Sequence, residues 1–553
     1  MAAINYNQSS ILVIEHTEIY RGILKKILMD MGASDIRVAA TGKEAIVACQ
    51  ENQYEVVFCD FDLGRGKTGL HVLEELRFRA LIKSSCVFVM VTATVDKNIV
   101  LSCLEHKPHL FITKPFTHQD LKVRLDKVLQ QHQHLRKILV AMDKQDFKAA
   151  LLHCQQELKA GTRYQSWCSK TQCELLFKLQ AYEACIATCR EILTAKTHSW
   201  AHLLLGKALC ASQQHDLALA VFERLYSATG VSIDGIEAFD EAAHIHLKQG
   251  ENDVAQQLLQ QATDISDLSV PRLRKLAGVC EENDDVNAAT KVYRKVAKHA
   301  EYSMHRGPDN HLDFARSLTE AAARAEHVES KILVAEALGA LNKVNKSYQD
   351  STTKVRANLL AAQAFSSIDE DEKANQLLTK ALDQYHQLAT EEKNLDVKVE
   401  LVRTYVVTGN QAEANKLIDE INACDGFNAK LAARIDRISE EPVSQSGKSD
   451  VVKINSKGIK FYNEKEFKKA IEYFSKALKR FPKHTGIRLN LAQAIIAQLT
   501  LQGPDTKLIQ QCLDDLAHLS HLTTGHGQYQ RLTELSEKIQ GFKNTHALSA
   551  HSS

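Results

Sequence analysis

Five short apolar runs alternate with five helical patterns in the first 130 residues, and few folds accept that order. The runs are Ile11–Ile14, Ile36–Ala39, Val56–Cys59, Val87–Val91 and Leu110–Thr113. The helical patterns are Glu18–Met31, Thr41–Asn52, Leu70–Arg79, Lys97–Glu105 and His118–Gln130. Apolar runs this short, spaced by amphipathic helices, are strands of a parallel sheet covered on both faces. Thr41-Gly-Lys-Glu44 is a capping box at the start of the second helix. The alternation predicts an α/β domain with a doubly wound, parallel, five-stranded sheet.

In such a sheet, ligands bind beyond the carboxyl ends of the strands. Strand one ends at Glu15-His16, strand three at Asp60, strand four at Thr92 and strand five at Lys114-Pro115. A Gly-rich segment, Gly64-Arg-Gly-Lys-Thr-Gly69, follows Asp60. The topology gathers these ends on one rim, where carboxylates, a hydroxyl and an ammonium meet. Clustered carboxylates repel, and a divalent cation with oxygen ligands relieves them. A carboxylate that attacks a phosphoryl group needs such a cation, and a Lys to neutralise the equatorial oxygens.

Four segments occur in order: the acid after strand one, Cys59-Asp60-Phe-Asp-Leu-Gly64, Val89-Met-Val-Thr-Ala93 and Phe111-Ile-Thr-Lys-Pro-Phe116. Together they resemble the receiver domains of two-component response regulators. The resemblance implies a flavodoxin-like fold, with Asp60 accepting a phosphoryl group from a histidine kinase or phosphotransfer protein. It also implies Mg²⁺ held by Glu15, Asp60 and the backbone carbonyl of Asp62. Thr92 would bond a phosphoryl oxygen and Lys114 would pair with the phosphate, next to a cis Lys114–Pro115 bond. Phe111 would be the aromatic switch that turns inward when Thr92 moves. One position departs from the family, which has two consecutive acids where this chain has Glu15 and His16. Imidazole replaces a carboxylate poorly for Mg²⁺. Weak Mg²⁺ binding is expected. The site then works with Glu15 and Asp60 alone, takes a softer metal, or is degenerate and unphosphorylated.

The remaining chain is helical by pattern, in keeping with only 23 Gly and 7 Pro in 553 residues. A small residue is followed twelve positions later by Ala and four beyond that by a large apolar residue. Gly206, Ala218 and Phe222 fit, as do Ala243, Ala255, Leu259; Ala277, Ala289, Tyr293; Ala362, Ala374, Leu378; and Val402, Ala414, Ile418. Cys173, Cys185 and Cys189 form a weaker copy, and Gly458, Ala470 and Phe474 the clearest one. This frame resembles tetratricopeptide (TPR) repeats, which implies an all-α superhelical solenoid with a groove for a protein partner. The stretch Glu301–Ser351 fits poorly and reads as an atypical repeat, with helices at Leu312–Glu326 and Val328–Lys343. The expected organisation is a receiver over residues 1–130, repeats over 131–440, a linker at 441–450, C-terminal repeats and a helical cap over 451–543, and a disordered tail at 544–553.

Several classes are disfavoured. Lys plus Arg (69) balances Asp plus Glu (68), which argues against bulk attraction to nucleic acid or to a membrane surface. The 13 Cys show no zinc-knuckle spacing, and the start has no signal-peptide pattern, so reduced thiols in a cytoplasmic protein are expected. No catalytic triad, Walker loop or helix-turn-helix pattern occurs, so neither an enzyme nor a DNA-binding output is expected. The expected function is a response regulator that signals through TPR-mediated protein binding. The rival is a constitutive TPR scaffold with an unphosphorylated receiver.

Overall fold

The computed structural model describes residues 4–93, 96–229, 232–422, 435–437, 442, 445–519, 522 and 527–550. It forms two compact units. One takes Met1–Val279 with Lys291–Asn310, the other Cys280–Thr290 with His311–Ser553.

The first unit opens with strands β1 (Ser10–Ile14), β2 (Asp35–Ala39), β3 (Val56–Asp60), β4 (Val87–Thr92) and β5 (Leu110–Thr113), all parallel, in the order β2-β1-β3-β4-β5. Helices α1 (Glu18–Asp30), α2 (Gly42–Glu51), α3 (Gly69–Phe78), α4 (Lys97–Glu105) and α5 (His118–His134) alternate with them. This is the doubly wound architecture that the alternation predicts. Every residue of β3 and β4 is buried, as a central strand covered on both faces requires. β2 differs: only Ala39 is buried, because the strand lies at the sheet edge. Helix starts follow their caps. Thr41 accepts from Glu44 N, Asp96 from Asn98 N and Ile99 N, and Thr117 forms a capping box with Asp120.

Beyond α5 the chain is helical throughout the described residues. The next ten helices are α6 (Arg136–Asp143), α7 (Phe147–Ala160), α8 (Gln165–Lys178), α9 (Tyr182–Ala195), α10 (Ser199–Ala211), α11 (His215–Thr229), α12 (Ile233–Gln249), α13 (Asn252–Ile265), α14 (Val270–Glu282) and α15 (Val286–His299). All seven residue trios of the repeat frame are buried, each on two successive helices. Two trios show why the first member is small. A Cβ on Gly206 would stand 2.4 Å from the Phe222 ring, and one on Gly458 would stand 2.5 Å from the Phe474 ring. Cys173, Cys185 and Cys189 are buried free thiols that fill the three positions of their copy of the frame on α8 and α9.

Within the first unit the helices close on the N-terminal domain in two places. At the base, Asp143 of α6 accepts from Ser84 N (2.5 Å) and Ser85 Oγ (2.8 Å). Higher up, Arg272 of α14 is 5% exposed and sits between two carboxylates. Its Nη2 lies 2.6 Å from Glu105 Oε2 on α4 and 2.8 Å from Asp240 Oδ2 on α12. Ser102 Oγ meets Ser266 Oγ at 2.9 Å, Lys67 Nζ donates to the Tyr302 carbonyl (2.8 Å), and His305 pairs with Glu74 (3.2 Å). Leu268 packs against the same buried cluster as Phe111 and Ile99.

The second unit is wholly helical among its described residues. The irregular stretch resolves as helices Asp309–Ala322 and His327–Ser347, a few residues displaced from the expected bounds. Its interior holds a buried polar network in which Arg316 Nη2 donates to Glu400 Oε2 (2.6 Å) and Gln363 Nε2 to Glu400 Oε1 (3.0 Å). Of the expected linker, residues 445–450 belong to helix Gln445–Asn463, while 441, 443 and 444 lie outside the described residues. The last helix runs Tyr529–Ala550, past the expected end at Lys543, and 551–553 lie outside the described residues.

Candidate functional site

The strand register builds the site. Ile14 pairs with Cys59, Asp60 with Val91 and Thr92 with Thr113. The four strands therefore finish nearly level, and the last residues of β3 and β4, Asp60 and Thr92, reach the same rim as the residues just after β1 and β5, Glu15 and Lys114. Asp60 is 6% exposed, Glu15 3% and Thr92 2%, so the acids are almost wholly withdrawn from water. Lys114 bridges them, with Nζ 2.6 Å from Glu15 Oε2 and 2.9 Å from Asp60 Oδ2. The Lys114–Pro115 peptide is cis, as the resemblance implies.

Burial pushes the Asp60 carboxyl up to about 6, even though the Lys114 ammonium pulls the other way. Burial also works to lower Lys114, but its hydrogen bonds to Glu15 and Asp60 outweigh that and leave its ammonium above the ordinary range. The contact keeps the Lys114 ammonium charged, whereas for Asp60 it offsets only part of the cost of burying a carboxylate.

His16 supplies the departure. Its Nδ1 lies 2.8 Å from the Asp62 carbonyl oxygen and 3.5 Å from Glu15 Oε1. The Asp62 side chain accepts from Gly64 N (2.9 Å), so the backbone carbonyl, and not the carboxylate, faces the site. Single ligand atoms of Glu15, His16 and Asp60 lie within 4.8 Å of one another. Two carboxylates fit a hard divalent cation such as Mg²⁺, and the imidazole is the ligand such a cation wants least.

The rim brings together Glu15, His16, Asp60, Thr92 and Lys114, with Asp62 turned in through its carbonyl. Phe111 stands on β5, half-buried, and its carbonyl accepts from Arg124 (2.7 Å). Three further residues escape sequence reasoning. The Tyr20 ring lies under Lys114 Nζ, 4.6 Å away, and screens the ion pair. Arg21 donates to the Glu15 carbonyl (2.8 Å) and steadies that loop. Gly69 opens α3 so close to the Asp60 backbone that a Cβ there would stand 2.2 Å from the Asp60 carbonyl oxygen. Only the Gly-rich spacing hints at that need. Beside the rim is a cavity of about 190 Å³, lined by Glu15, Tyr20, Ile23, Asp60, Lys114 and Phe116 among others.

Residues 11–126 match the family model described as "Response regulator receiver domain". The same segment is similar to curated chemotaxis proteins. It is 27% identical to "Chemotaxis protein CheY-3" of Vibrio cholerae over 131 residues, which is 24% of this chain and 99% of that protein. It is 26% identical to "Chemotaxis protein CheY" of Pseudomonas aeruginosa over 121 residues, 22% of this chain and 96% of that protein. The N-terminal segment is therefore a response regulator receiver domain, a signalling module, followed by a long all-helical region.

Proposed function

We propose that the chain is a two-component response regulator that takes a phosphoryl group on Asp60 and signals through tetratricopeptide repeats that bind a protein. The single observation that carries the first half is the Lys114 bridge between Glu15 and Asp60, with Thr92 at the next strand end. A carboxylate already paired with an ammonium is prepared for the charge that phosphoryl transfer brings. Access favours a protein donor. Ile19, Tyr20 and Ile23 of α1 are 73%, 51% and 50% exposed beside the rim, an apolar ridge suited to a kinase or phosphotransfer helix.

The second half rests on the buried repeat frame. In this reading the helical region is the output, and it neither cleaves a substrate nor reads DNA. The balanced charge supports that, and no helix among the described residues is long and apolar enough to cross a membrane. A cytoplasmic location belongs to the same reading. The contacts favour a route for the signal through α4, where Phe111 and Leu268 lean on one cluster and Glu105 pairs with Arg272. Rotation of Phe111 as Thr92 moves would be felt at Leu268.

One observation favours the rival, a constitutive scaffold: His16 bonds the Asp62 carbonyl that the family offers to Mg²⁺. Intact mass after incubation with acetyl phosphate and a divalent cation separates the two. A single phosphate on wild type, absent from Asp60→Asn, supports the regulator. An unlabelled wild type, with Mg²⁺ and with Mn²⁺ alike, supports the scaffold.

A further inference from the structure

We infer that the rim is built for a first-row transition cation in preference to Mg²⁺, with His16 as one of its ligands. The inference rests on the rim being a cation site and does not need Asp60 to take a phosphoryl group.

The distances carry it. Two ligands on one ion with bonds of about 2.1 Å stand about 3.0 Å apart when adjacent and about 4.2 Å when opposite. His16 Nδ1 stands 2.8 Å from the Asp62 carbonyl oxygen and 3.5 Å from Glu15 Oε1. Both separations are those of adjacent ligands. The full set of Glu15, His16 and Asp60 spans no more than 4.8 Å, so a contraction of roughly half an ångström closes it on one ion. Lys114 holds Glu15 by Oε2, while the oxygen turned to the imidazole is Oε1, so the ammonium and a metal would use different edges of that carboxylate. His16 is 38% exposed at its side chain, which leaves room for water to complete the shell.

The chemistry selects among ions. Mg²⁺ demands oxygen ligands and gives up water reluctantly, whereas imidazole suits the later first-row cations from Fe²⁺ to Zn²⁺; Mn²⁺ also favours oxygen but exchanges its water far more readily than Mg²⁺ and accepts an imidazole beside carboxylates. The ring can change role without losing charge balance. At present Nδ1–H donates to the Asp62 carbonyl. Metal binding at Nδ1 requires the proton on Nε2, which lies 3.2 Å from Thr17 Oγ1, an oxygen able to accept it. The hydrogen bond between His16 and Asp62 would then be replaced by two bonds to one ion.

Mn²⁺ is the probe, titrated into the full-length protein and followed by electron paramagnetic resonance. One site is expected, at least about 10-fold tighter for Mn²⁺ than for Mg²⁺, with pulsed spectra showing coupling to a nitrogen nucleus. In His16→Asp the nitrogen coupling should vanish and Mg²⁺ should gain on Mn²⁺ by a similar factor. His16→Asn, which adds no charge, should lose the coupling as well and serves if the first variant misfolds. The inference is overturned by equal affinity for the two ions in wild type, by a Mn²⁺ spectrum without nitrogen, or by a preference unchanged in His16→Asp. Phosphate uptake with Mg²⁺ alongside any of these results would leave the Asp60 reading standing without it.

Discussion

Removing the charge of Glu105 tests how firmly the helical region holds the receiver. Arg272 is buried, and it meets Glu105 through Nη2 at 2.6 Å and Nη1 at 3.4 Å. A hydrogen bond to a charged group contributes about 1.5–3 kcal/mol when well formed. The second contact is long, and the Glu105 side chain is 18% exposed, so the pair sits near the lower end of that range. We expect a coupling of about 2 kcal/mol between Glu105 and Arg272, or about 30-fold in a local opening equilibrium. The assay is native-state hydrogen exchange on wild type, Glu105→Gln, Arg272→Gln and the double variant, read at peptides from α4, α12 and α14. Gln is chosen at Arg272 because it still donates to Asp240, which wild-type Arg272 meets at 2.8, 2.9 and 3.0 Å. Faster exchange should appear at α4 and α14 in each single variant, with little added by the second. A coupling below about 0.5 kcal/mol, the level of an exposed ion pair, would refute the reasoning.

Two other outcomes follow from the site. Asp60 carries its proton more tightly when folded, at about 6 against a usual 3.8. A raised carboxyl binds more protons folded than unfolded, so it lowers stability as pH rises from about 4 to about 6. Asp60→Asn should therefore stabilise the receiver at pH 7 by up to about 3 kcal/mol, with the gain gone below pH 4 in urea titrations. A gain that persists at pH 3.5 would point to packing instead. Gly69→Ala forces a methyl against the Asp60 carbonyl, 2.2 Å away, and should cost about 2–3 kcal/mol and abolish phosphate uptake. An unshifted urea midpoint in that variant would show that α3 can slide.

Much of this molecule is legible in its sequence because its elements are periodic. Lys97–Glu105 is helical at the bounds read from the residues, and the five strands fall within a residue of theirs. A parallel sheet then does the rest: Glu15, Asp60, Thr92 and Lys114 are far apart in the chain and meet because strands end together. The repeat frame is legible for a similar reason, since a ring at 222 needs a hydrogen atom at 206. What escapes is pairing across distance without a pattern. Glu105 and Arg272 are 167 residues apart, and each reads as a solvated charge on an amphipathic helix. Nothing local says that one will be buried against the other. Gly69 escapes because its need comes from the backbone of Asp60, and Tyr20 because an aromatic on α1 reads as surface or core, never as a lid over an ammonium. His16 is visible as a departure, but its bond to the Asp62 carbonyl requires the loop geometry.

The clamp at Arg272 joins two parts of one chain, and that decides how its opening depends on dose. Glu105 and Arg272 are tethered, so the receiver face at α4 meets its partner at an effective concentration on the order of millimolar. Opening is then a first-order event whose midpoint is indifferent to how much protein is present. A free fragment of the helical region would have to approach that same millimolar range to compete. A contact closed this way keeps its threshold for opening through changes in expression, and a partner that seeks the α4 face must first displace the chain's own helices.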